Sequence, residues 1–229
     1  MMEITNSVPV YLEVGSKRTF AGGLDWPGWC RSGRDEALAL TALFDYGTRY
    51  AKVLRSTRLG FHAPKNISEF VVSTRLEGYS TTDFGSPAIA PPTDSGPINE
   101  AELGRFLAIL EACWRGFDEA VSATKGRELR KGPRGGGRDL EKIIQHVLEA
   151  DGAYLGRLGW KFQLNEGRNS LQRINQIRQI IMEALEATAS IDKPTTGSRG
   201  GVRWMPRYFI RRVAWHVLDH AWEIEDRIT

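Results

Sequence analysis

The chain has 229 residues and a composition typical of a folded protein, with 41% hydrophobic, 26% charged and 10% aromatic residues. No apolar run approaches the roughly 18 residues of a membrane span, and the N-terminus lacks the basic start and apolar block of a signal peptide. The two cysteines, Cys30 and Cys113, are far apart and form no CxxC motif. We therefore expect reduced thiols, no cysteine-type zinc site, no membrane partner and a cytoplasmic location.

The formal net charge of +3 is unevenly distributed. Residues 1–97 carry ten basic and ten acidic side chains, so the whole excess lies in residues 98–229. It is concentrated in residues 125–138, with six basic side chains and one acid, and in residues 199–212, with five arginines and no acid. Such a local bias is compatible with an anionic ligand, a nucleic acid or a solvated surface. We do not expect nucleic-acid binding, because the arginines are not interleaved with exposed aromatic residues and the overall charge is small.

The sequence predicts an N-terminal α+β domain over residues 1–85. Alternating apolar residues at 8–14 and 17–24 predict two strands of a hairpin, and residues 69–78 predict a further strand. An amphipathic helix is predicted after Gly33, so the expected order is strand, strand, helix, strand. The predicted inward face of that helix comprises Leu38, Leu43, Tyr46, Tyr50, Val53 and Leu54.

A proline-rich stretch, residues 86–97, has four prolines in twelve residues and is predicted to be a linker. The residues that follow, 98–229, carry four amphipathic segments and favour an all-α four-helix bundle. Asn99 and Glu102 have the spacing of a capping box at the first segment, and Pro206 suits the first turn of the last. The four predicted helices cover residues 98–124, 139–158, 169–189 and 205–228.

Two of the four histidines, His216 and His220, lie four residues apart in the last predicted helix. Four residues make about one turn, so His220 falls in the inward stripe and His216 beside it. The second predicted helix offers His146 on the flank of its stripe. Three imidazoles converging between two helices would suit a divalent metal and leave coordination positions open for water or substrate. The alternative is that these histidines are only packed and hydrogen-bonded.

Charged residues lie close to these histidines in the sequence. Glu149, Asp219 and Glu223 are candidates to orient the imidazole rings or to act as a general base, and the sequence does not separate the two roles. Arg212, one turn before His216, is a candidate to hold a substrate carboxylate or phosphate; the alternative is an ion pair with Asp219 or Glu223.

Other residues are predicted to have structural roles. Trp215 and Trp222 fall opposite the inward stripe of the last helix and are predicted to cover another element, such as the first domain or a second subunit in a homodimer. His62, in a loop flanked by glycine and proline, is predicted to be an ordinary surface histidine. Cys30, in a turn beside two tryptophans, is predicted to be packed rather than reactive.

The segment QHVLEADGAYL, followed about 70 residues later by AWHVLDHAWEIEDR, resembles the DinB/YfiT-like four-helix-bundle superfamily. That family holds a divalent metal with one histidine on its second helix and an HxxxH pair on its fourth. The resemblance spans residues 98–229 and implies His146, His216 and His220 as ligands, with zinc or nickel as the expected metal. It further implies a transferase or isomerase that uses a low-molecular-weight thiol, or a metal-dependent hydrolase, with an anionic or thiol-linked small-molecule substrate.

The N-terminal region resembles the HicB-like antitoxin fold, which has two strands, a PG-x-C turn and an amphipathic helix. Proteins of that fold bind a protein partner, and bind DNA through a separate module that this sequence does not contain. The alternative to an enzyme is therefore a non-enzymatic binding or regulatory protein that engages a protein partner through this domain. The residues that carry the resemblance are Pro27, Gly28, Cys30, Gly33, Glu36, Ala37 and Leu38.

Overall fold

The fold is mixed α+β, and the chain divides into two compact units, Met1–Asp94 and Ser95–Thr229. The division falls within the proline-rich stretch 86–97. Among the described residues there are one four-stranded sheet and seven α-helices, and none of these helices is long and apolar enough to cross a membrane. The computed structural model describes residues 7–131, 137–165, 169–192, 196–197 and 201–229. Parts of both basic stretches, 125–138 and 199–212, lie outside these ranges.

The first unit contains the sheet, whose strands lie in the order β3-β2-β1-β4. β1 is antiparallel to β2 and parallel to β4, and β2 is antiparallel to β3. The predicted hairpin and the later strand are confirmed. The sequence did not predict β3, because its four residues, CRSG, contain one buried side chain and no alternating apolar pattern. The strands are β1 (Val8–Val14), β2 (Thr19–Gly23), β3 (Cys30–Gly33) and β4 (Phe70–Glu77).

Three helices accompany this sheet: α1 (Glu36–Asp45), α2 (Gly47–Leu54) and α3 (Ser80–Phe84). The single helix predicted after Gly33 is therefore two helices that meet at Tyr46. A Cβ atom on Gly33 would clash with the backbone of Leu38 and Ala39, so glycine permits the close approach of α1 to β3.

The core of the first unit uses most of the predicted helical face. Leu43, Tyr50 and Leu54 are buried, whereas Leu38 is 44% exposed, so its predicted inward position was wrong. Leu38 lies in the first turn of α1, where its backbone N–H donates to the capping Asp35 side chain. The prediction for Cys30 is confirmed, because it is only 2% exposed.

One buried carboxylate ties the end of the first unit to its sheet. Glu13 in β1 is fully buried and accepts hydrogen bonds from Thr82 Oγ1 at 2.5 Å, the Ala88 N–H at 2.8 Å and the Ile89 N–H at 3.1 Å. These donors come from α3 and from the chain that follows it. A buried charge with several donors is well compensated, so Glu13 fastens this segment to β1.

The second unit is built from four long helices: α4 (Glu100–Ala123), α5 (Leu140–Leu158), α6 (Ser170–Thr188) and α7 (Pro206–Arg227). Their bounds agree closely with the predicted segments. The capping box of Asn99 and Glu102 is present, and Pro206 is the first residue of α7. α4 packs against α7 and α6, and α5 packs against α6 and α7. Two of the three candidate metal ligands therefore lie on a helix that contacts both α4 and α5.

α7 is buried around most of its circumference. The two tryptophans predicted to cover another element, Trp215 and Trp222, are only 5% and 2% exposed. They therefore do not present an exposed apolar face to a second subunit, and the homodimer stays a prediction. An apolar residue on the outward side of a helical wheel is not necessarily exposed when a helix is packed on several sides.

Candidate metal centre

The three predicted ligands converge where α5 meets α7. One ring nitrogen from each of His146, His216 and His220 can be chosen so that all three lie within 4.8 Å of one another. The ring centroids are 5.0 Å apart for His146 and His216, 5.0 Å for His146 and His220, and 4.7 Å for His216 and His220. His216 and His220 are buried and His146 is half-buried. The three histidines are thus close enough to hold one metal ion.

In this cluster, Nε2 of His146 lies 3.3 Å from Nε2 of His216. Two nitrogens bound to a tetrahedral zinc ion at about 2.0–2.1 Å are separated by roughly 3.3–3.4 Å, because the tetrahedral angle fixes that edge. The same distance also suits a weak hydrogen bond, in which one ring donates a proton to the other. The spacing of these two atoms therefore fits a metal with little rearrangement.

A chain of hydrogen bonds orients the third ring. His220 Nδ1 lies 2.8 Å from Glu223 Oε2, and the other oxygen of Glu223 accepts from Arg227 Nη1 at 2.6 Å. The pKa of Glu223 is lowered, mainly by the hydrogen bond with His220 and further by Arg227. A carboxylate that accepts from Nδ1–H leaves Nε2 of His220 with a free lone pair. Glu223 is therefore an orienting residue, one of the two roles that the sequence leaves open for it.

The environment also keeps the other two rings neutral. The pKa of His216 is lowered well below its usual value, first by burial and then by the nearby histidines and arginines. The pKa of His146 is lowered by burial and by the charges of Arg138 and His220. Neutral imidazole is the form that binds metal, so both rings are ready to coordinate an ion near neutral pH.

One buried nitrogen of the cluster has no protein partner in the described part of the chain. Nδ1 of His216 is inaccessible to solvent and makes no hydrogen bond there. A buried polar atom without a partner costs about 1–3 kcal/mol. The cluster therefore contains a polar atom that the described protein groups do not satisfy, a feature that is common at functional sites. Together with three imidazole groups whose ligand atoms lie within 4.8 Å of one another, it makes the cluster a suitable host for a divalent metal.

Arg212 lies on the same side of α7 as His216 but is held by aromatic rings. Its Nη2 donates to the Tyr154 hydroxyl at 3.2 Å, and its guanidinium lies 4.8 Å from the ring of Trp215 and 5.9 Å from that of Trp204. It is only 7% exposed. Glu223, one of its predicted ion-pair partners, is bound to His220 and Arg227 instead. Arg212 therefore packs behind the histidines, and its proposed contact with a substrate anion stays a prediction.

The other two predicted acids lie outside the Glu223 hydrogen-bond chain. Glu149 is exposed and accepts from Gln145 Nε2 at 2.8 Å, although its charge raises the pKa of His146. Asp219 is half-buried, three residues after His216. Glu223 is thus the acid that the structure brings into hydrogen-bond contact with a candidate ligand.

Sequence reasoning overlooked two residues on α5. The apolar pattern indicates only a core role for Tyr154, but its ring centroid lies 5.8 Å from that of His216. Asp151 is 1% exposed, its Oδ1 has no hydrogen-bond partner among the described residues, and burial raises its pKa to about 7. A signal was present, because Asp151 falls four residues after Val147 and four before Leu155, within the apolar stripe.

Comparisons with protein-family models, with curated proteins and with solved structures return no match for this chain. The likeness of residues 98–229 to the DinB/YfiT-like superfamily, and of the N-terminal region to the HicB-like fold, therefore stays a prediction from the sequence.

Proposed function

We propose that this chain is a divalent-metal-binding protein of the DinB-like four-helix-bundle class, located in the cytoplasm, whose metal serves a thiol-dependent transferase or isomerase reaction. The observation that carries the proposal is the convergence of His146, His216 and His220, with ligand atoms within 4.8 Å of one another. The agreement of the 3.3 Å contact with a tetrahedral edge supports zinc. Nickel is the other metal that this ligand set suits.

The number of ligands favours a catalytic over a structural role. Structural zinc sites are usually closed by four protein ligands, whereas catalytic sites use three and keep a position open. The described chain supplies three at this cluster. A bound metal would supply Lewis acidity, either lowering the pKa of a water molecule or holding a thiol cofactor as thiolate. The water chemistry would suit a hydrolase and the thiolate chemistry a transferase or isomerase.

The protein groups around the cluster support distinct tasks. Glu223 fixes the tautomer of His220, and Arg227 holds Glu223 in place through the 2.6 Å bond. Burial keeps His216 neutral and excludes water from one side of the site. Neither cysteine is suited to act as a built-in thiol: Cys113 is fully buried with a pKa raised by burial, and Cys30 is packed in the first unit. A thiol would therefore come from a separate small molecule.

The test of metal binding is the zinc and nickel content of the purified full chain, with affinity measured by competition against a chromophoric chelator. We expect about one metal ion per chain. Replacing His146, His216 or His220 by alanine should weaken binding by more than about 100-fold, since each removes a ligand. His62→Ala is the matched control, because His62 is exposed and lies in the other unit.

The outcomes separate the proposal from its rival. Absence of bound metal, even after incubation with zinc or nickel, would contradict the proposal and favour a non-enzymatic protein that engages a partner through the HicB-like region. Equal affinity in the His220→Ala and His62→Ala variants would contradict the three-histidine site.

The thiol reaction needs its own experiment. We would substitute Co²⁺ into the protein, add glutathione, and look for the intense near-ultraviolet absorption of a cobalt–thiolate bond. S-methylglutathione is the control, because its sulfur cannot become a thiolate. A spectrum unchanged by either compound would favour hydrolysis over thiol transfer.

A further inference from the structure

A cavity of about 500 Å³ lies at the C-terminal end of α7. It is formed by the segment that follows α4, the start of α5 and Arg227 near the end of α7. Its volume falls within the range of small-molecule sites, roughly 300–1,000 Å³. The basic side chains that line it are Arg127, Lys131, Arg138, Lys142 and Arg227.

The charges of this cavity are not balanced by the acids that line it. Its two acidic side chains are Glu128 and Asp139, and Asp139 is already paired with Lys142 at 2.6 Å. Arg227 is likewise paired with Glu223. For Arg127, Lys131 and Arg138, no ion pair is found within the described part of the chain. The cavity therefore offers three cations, all exposed to solvent, to an incoming anion.

Hydrogen bonds from Arg227 fix the wall of the cavity, because they join α7 to the two segments that line it. Arg227 Nε donates to the carbonyl of Arg130 at 3.0 Å, and Nη2 donates to the carbonyl of Arg138 at 2.8 Å. The Arg130 N–H in turn donates to the Arg227 carbonyl at 2.7 Å. Gly137 has φ 111°, and a Cβ atom there would come within 2.8 Å of Arg227 Nη2. Glycine therefore permits the close approach on which the wall depends.

The same arginine connects the cavity to the candidate metal centre. Arg227 donates to Glu223 at 2.6 Å, and Glu223 is bonded to His220 at 2.8 Å. The wall of the cavity is thus two hydrogen bonds away from a candidate metal ligand.

We propose that this cavity binds the carboxylate or phosphate group of a small anionic substrate or cofactor whose reactive end reaches the metal. The proposal rests on the proposed function for the metal and adds the chemical class of the molecule that the site accepts. Arg127 and Arg138 are the binding residues, because guanidinium groups form paired hydrogen bonds to carboxylate and phosphate oxygens. A small anion suits the cavity better than a nucleic acid, because the cations line one concave pocket rather than forming an extended stripe.

The test is calorimetric titration of the full chain with inorganic phosphate and, separately, with succinate, in metal-free and zinc-loaded protein. We expect binding of one or both anions, weakened about tenfold by Arg127→Ala and by Arg138→Ala. Arg157→Ala is the matched control, because Arg157 is an exposed arginine at the other end of α5. It should bind the anions as the wild type does. Comparing phosphate with succinate shows which oxyanion the cavity prefers.

Each result decides something. The proposal would be overturned if Arg127→Ala and Arg138→Ala bound the anions as tightly as Arg157→Ala does. It would also be overturned if the anions bound only to the zinc-loaded protein and the arginine variants did not change that binding. If the protein retained a short DNA duplex but bound neither phosphate nor succinate, the proposal would be overturned, and the basic residues would be assigned to nucleic-acid binding. If the variants lose anion binding while the wild type binds no metal, the cavity stands and the metal function fails. If the wild type binds stoichiometric zinc and the variants keep unaltered anion binding, the metal function stands and the cavity proposal fails.

Discussion

Glu13 in the first unit and Asp151 in the second are both almost completely buried, and their carboxyl groups have opposite surroundings. Glu13 in the first unit accepts hydrogen bonds from a hydroxyl and two backbone N–H groups. Asp151 in the second unit has an oxygen with no hydrogen-bond partner among the described residues, and its pKa is raised to about 7. The first carboxylate stabilises the fold. The second is a buried group whose ionisation the fold opposes.

The difference follows from where the donors are. Glu13 sits on a strand next to a loop, where backbone N–H groups are free to point at it. Asp151 sits inside a helix, where neighbouring N–H groups are used by the helix itself. The cation that helps to lower its pKa, Arg178, already makes two 2.8 Å bonds to Asp118. A buried carboxyl on a helix interior therefore depends on side chains from other helices for any compensation.

The largest expected effect is on the first carboxylate. Glu13→Ala removes the acceptor of the buried Thr82 hydroxyl and of the half-buried Ala88 and Ile89 N–H groups, together with the charge that strengthened those bonds. We expect a loss of about 3–5 kcal/mol in the free energy of unfolding of the first unit. Urea denaturation followed by the fluorescence of the buried Trp29 measures it.

Two variants control this experiment. Glu13→Gln keeps one acceptor oxygen and should lose an intermediate amount, whereas Glu77→Ala removes an exposed glutamate at the end of β4 and should lose little. A loss below about 1 kcal/mol for Glu13→Ala would mean that the loop finds other acceptors.

Asp151 should lower the free energy of unfolding of the second unit as the pH rises, whereas Glu13 stabilises the first unit. The pKa of Asp151 is 3.8 for the ordinary group and about 7 in the folded chain, so between these pH values the folded state holds a proton that the unfolded state has lost. The contribution of Asp151 to stability is therefore fully present below pH 3.8 and falls by roughly 1.4 kcal/mol per pH unit up to about pH 7. Asp151→Asn removes this dependence, so the stability of the variant relative to the wild type should rise by about 4 kcal/mol between pH 3.8 and pH 8.

The measurement is the difference in free energy of unfolding between wild type and Asp151→Asn from pH 4 to pH 8, which cancels the other titrating groups. Asp139→Asn is not a suitable control, because Asp139 caps α5. Asp226→Asn, an exposed aspartate near the end of α7, should give no such slope. A flat difference for Asp151→Asn would show that Asp151 ionises normally in the folded chain.

The sequence predicted the elements that have strong periodicity. The four long helices were found because apolar residues recur at three and four positions over nineteen or more residues, and Asn99 and Pro206 marked helix starts. β3 and α3 were missed because segments of four and five residues are too short to show a period. Leu38 was placed inward because a helical wheel does not show which part of the apolar face is covered by another element; Leu38 is 44% exposed.

Some features of the candidate site were also predictable from local spacing, and others were not. His216 and His220 were predictable because a spacing of four places two rings on one helical face, and Glu223 followed as a neighbour. The 3.3 Å approach of His146 was not predictable, since it depends on how α5 packs against α7. Arg227 was not assigned to the site, although it lies four residues after Glu223 and could have been recognised as its partner from that spacing. Its bond to the Arg138 carbonyl was not predictable, because it joins segments far apart in sequence. Local spacing identifies candidates, and packing decides which of them meet.

Glu223 provides a third carboxylate, intermediate between Glu13 and Asp151. It is half-buried and bonded on one side to Arg227 and on the other to a candidate metal ligand. Glu223→Gln keeps the size but weakens the acceptor that orients His220. We expect zinc affinity to fall about 10–100-fold with the fold retained. The chelator competition measures it, with Glu149→Gln as the control that should change affinity less, because Glu149 is bonded to Gln145. Equal effects would show that Glu223 acts only through its charge.

The smallest effect tests why Asp151 lacks compensation. Asp118 is 49% exposed and holds Arg178 in a two-bond pair, so part of the positive charge of Arg178 is neutralised before it reaches Asp151. Asp118→Asn leaves that charge unopposed. The titration midpoint of Asp151 should then move to lower pH by about half a pH unit, because a nearby cation favours the ionised carboxylate. Carbon-13 NMR of the Asp151 side-chain carboxyl gives the midpoint directly, with Asp226→Asn as the distant control. A midpoint that does not move would mean that burial alone sets the pKa of Asp151. Arg178 would then not stabilise the ionised Asp151 carboxylate in the way that the hydroxyl and backbone N–H donors stabilise Glu13.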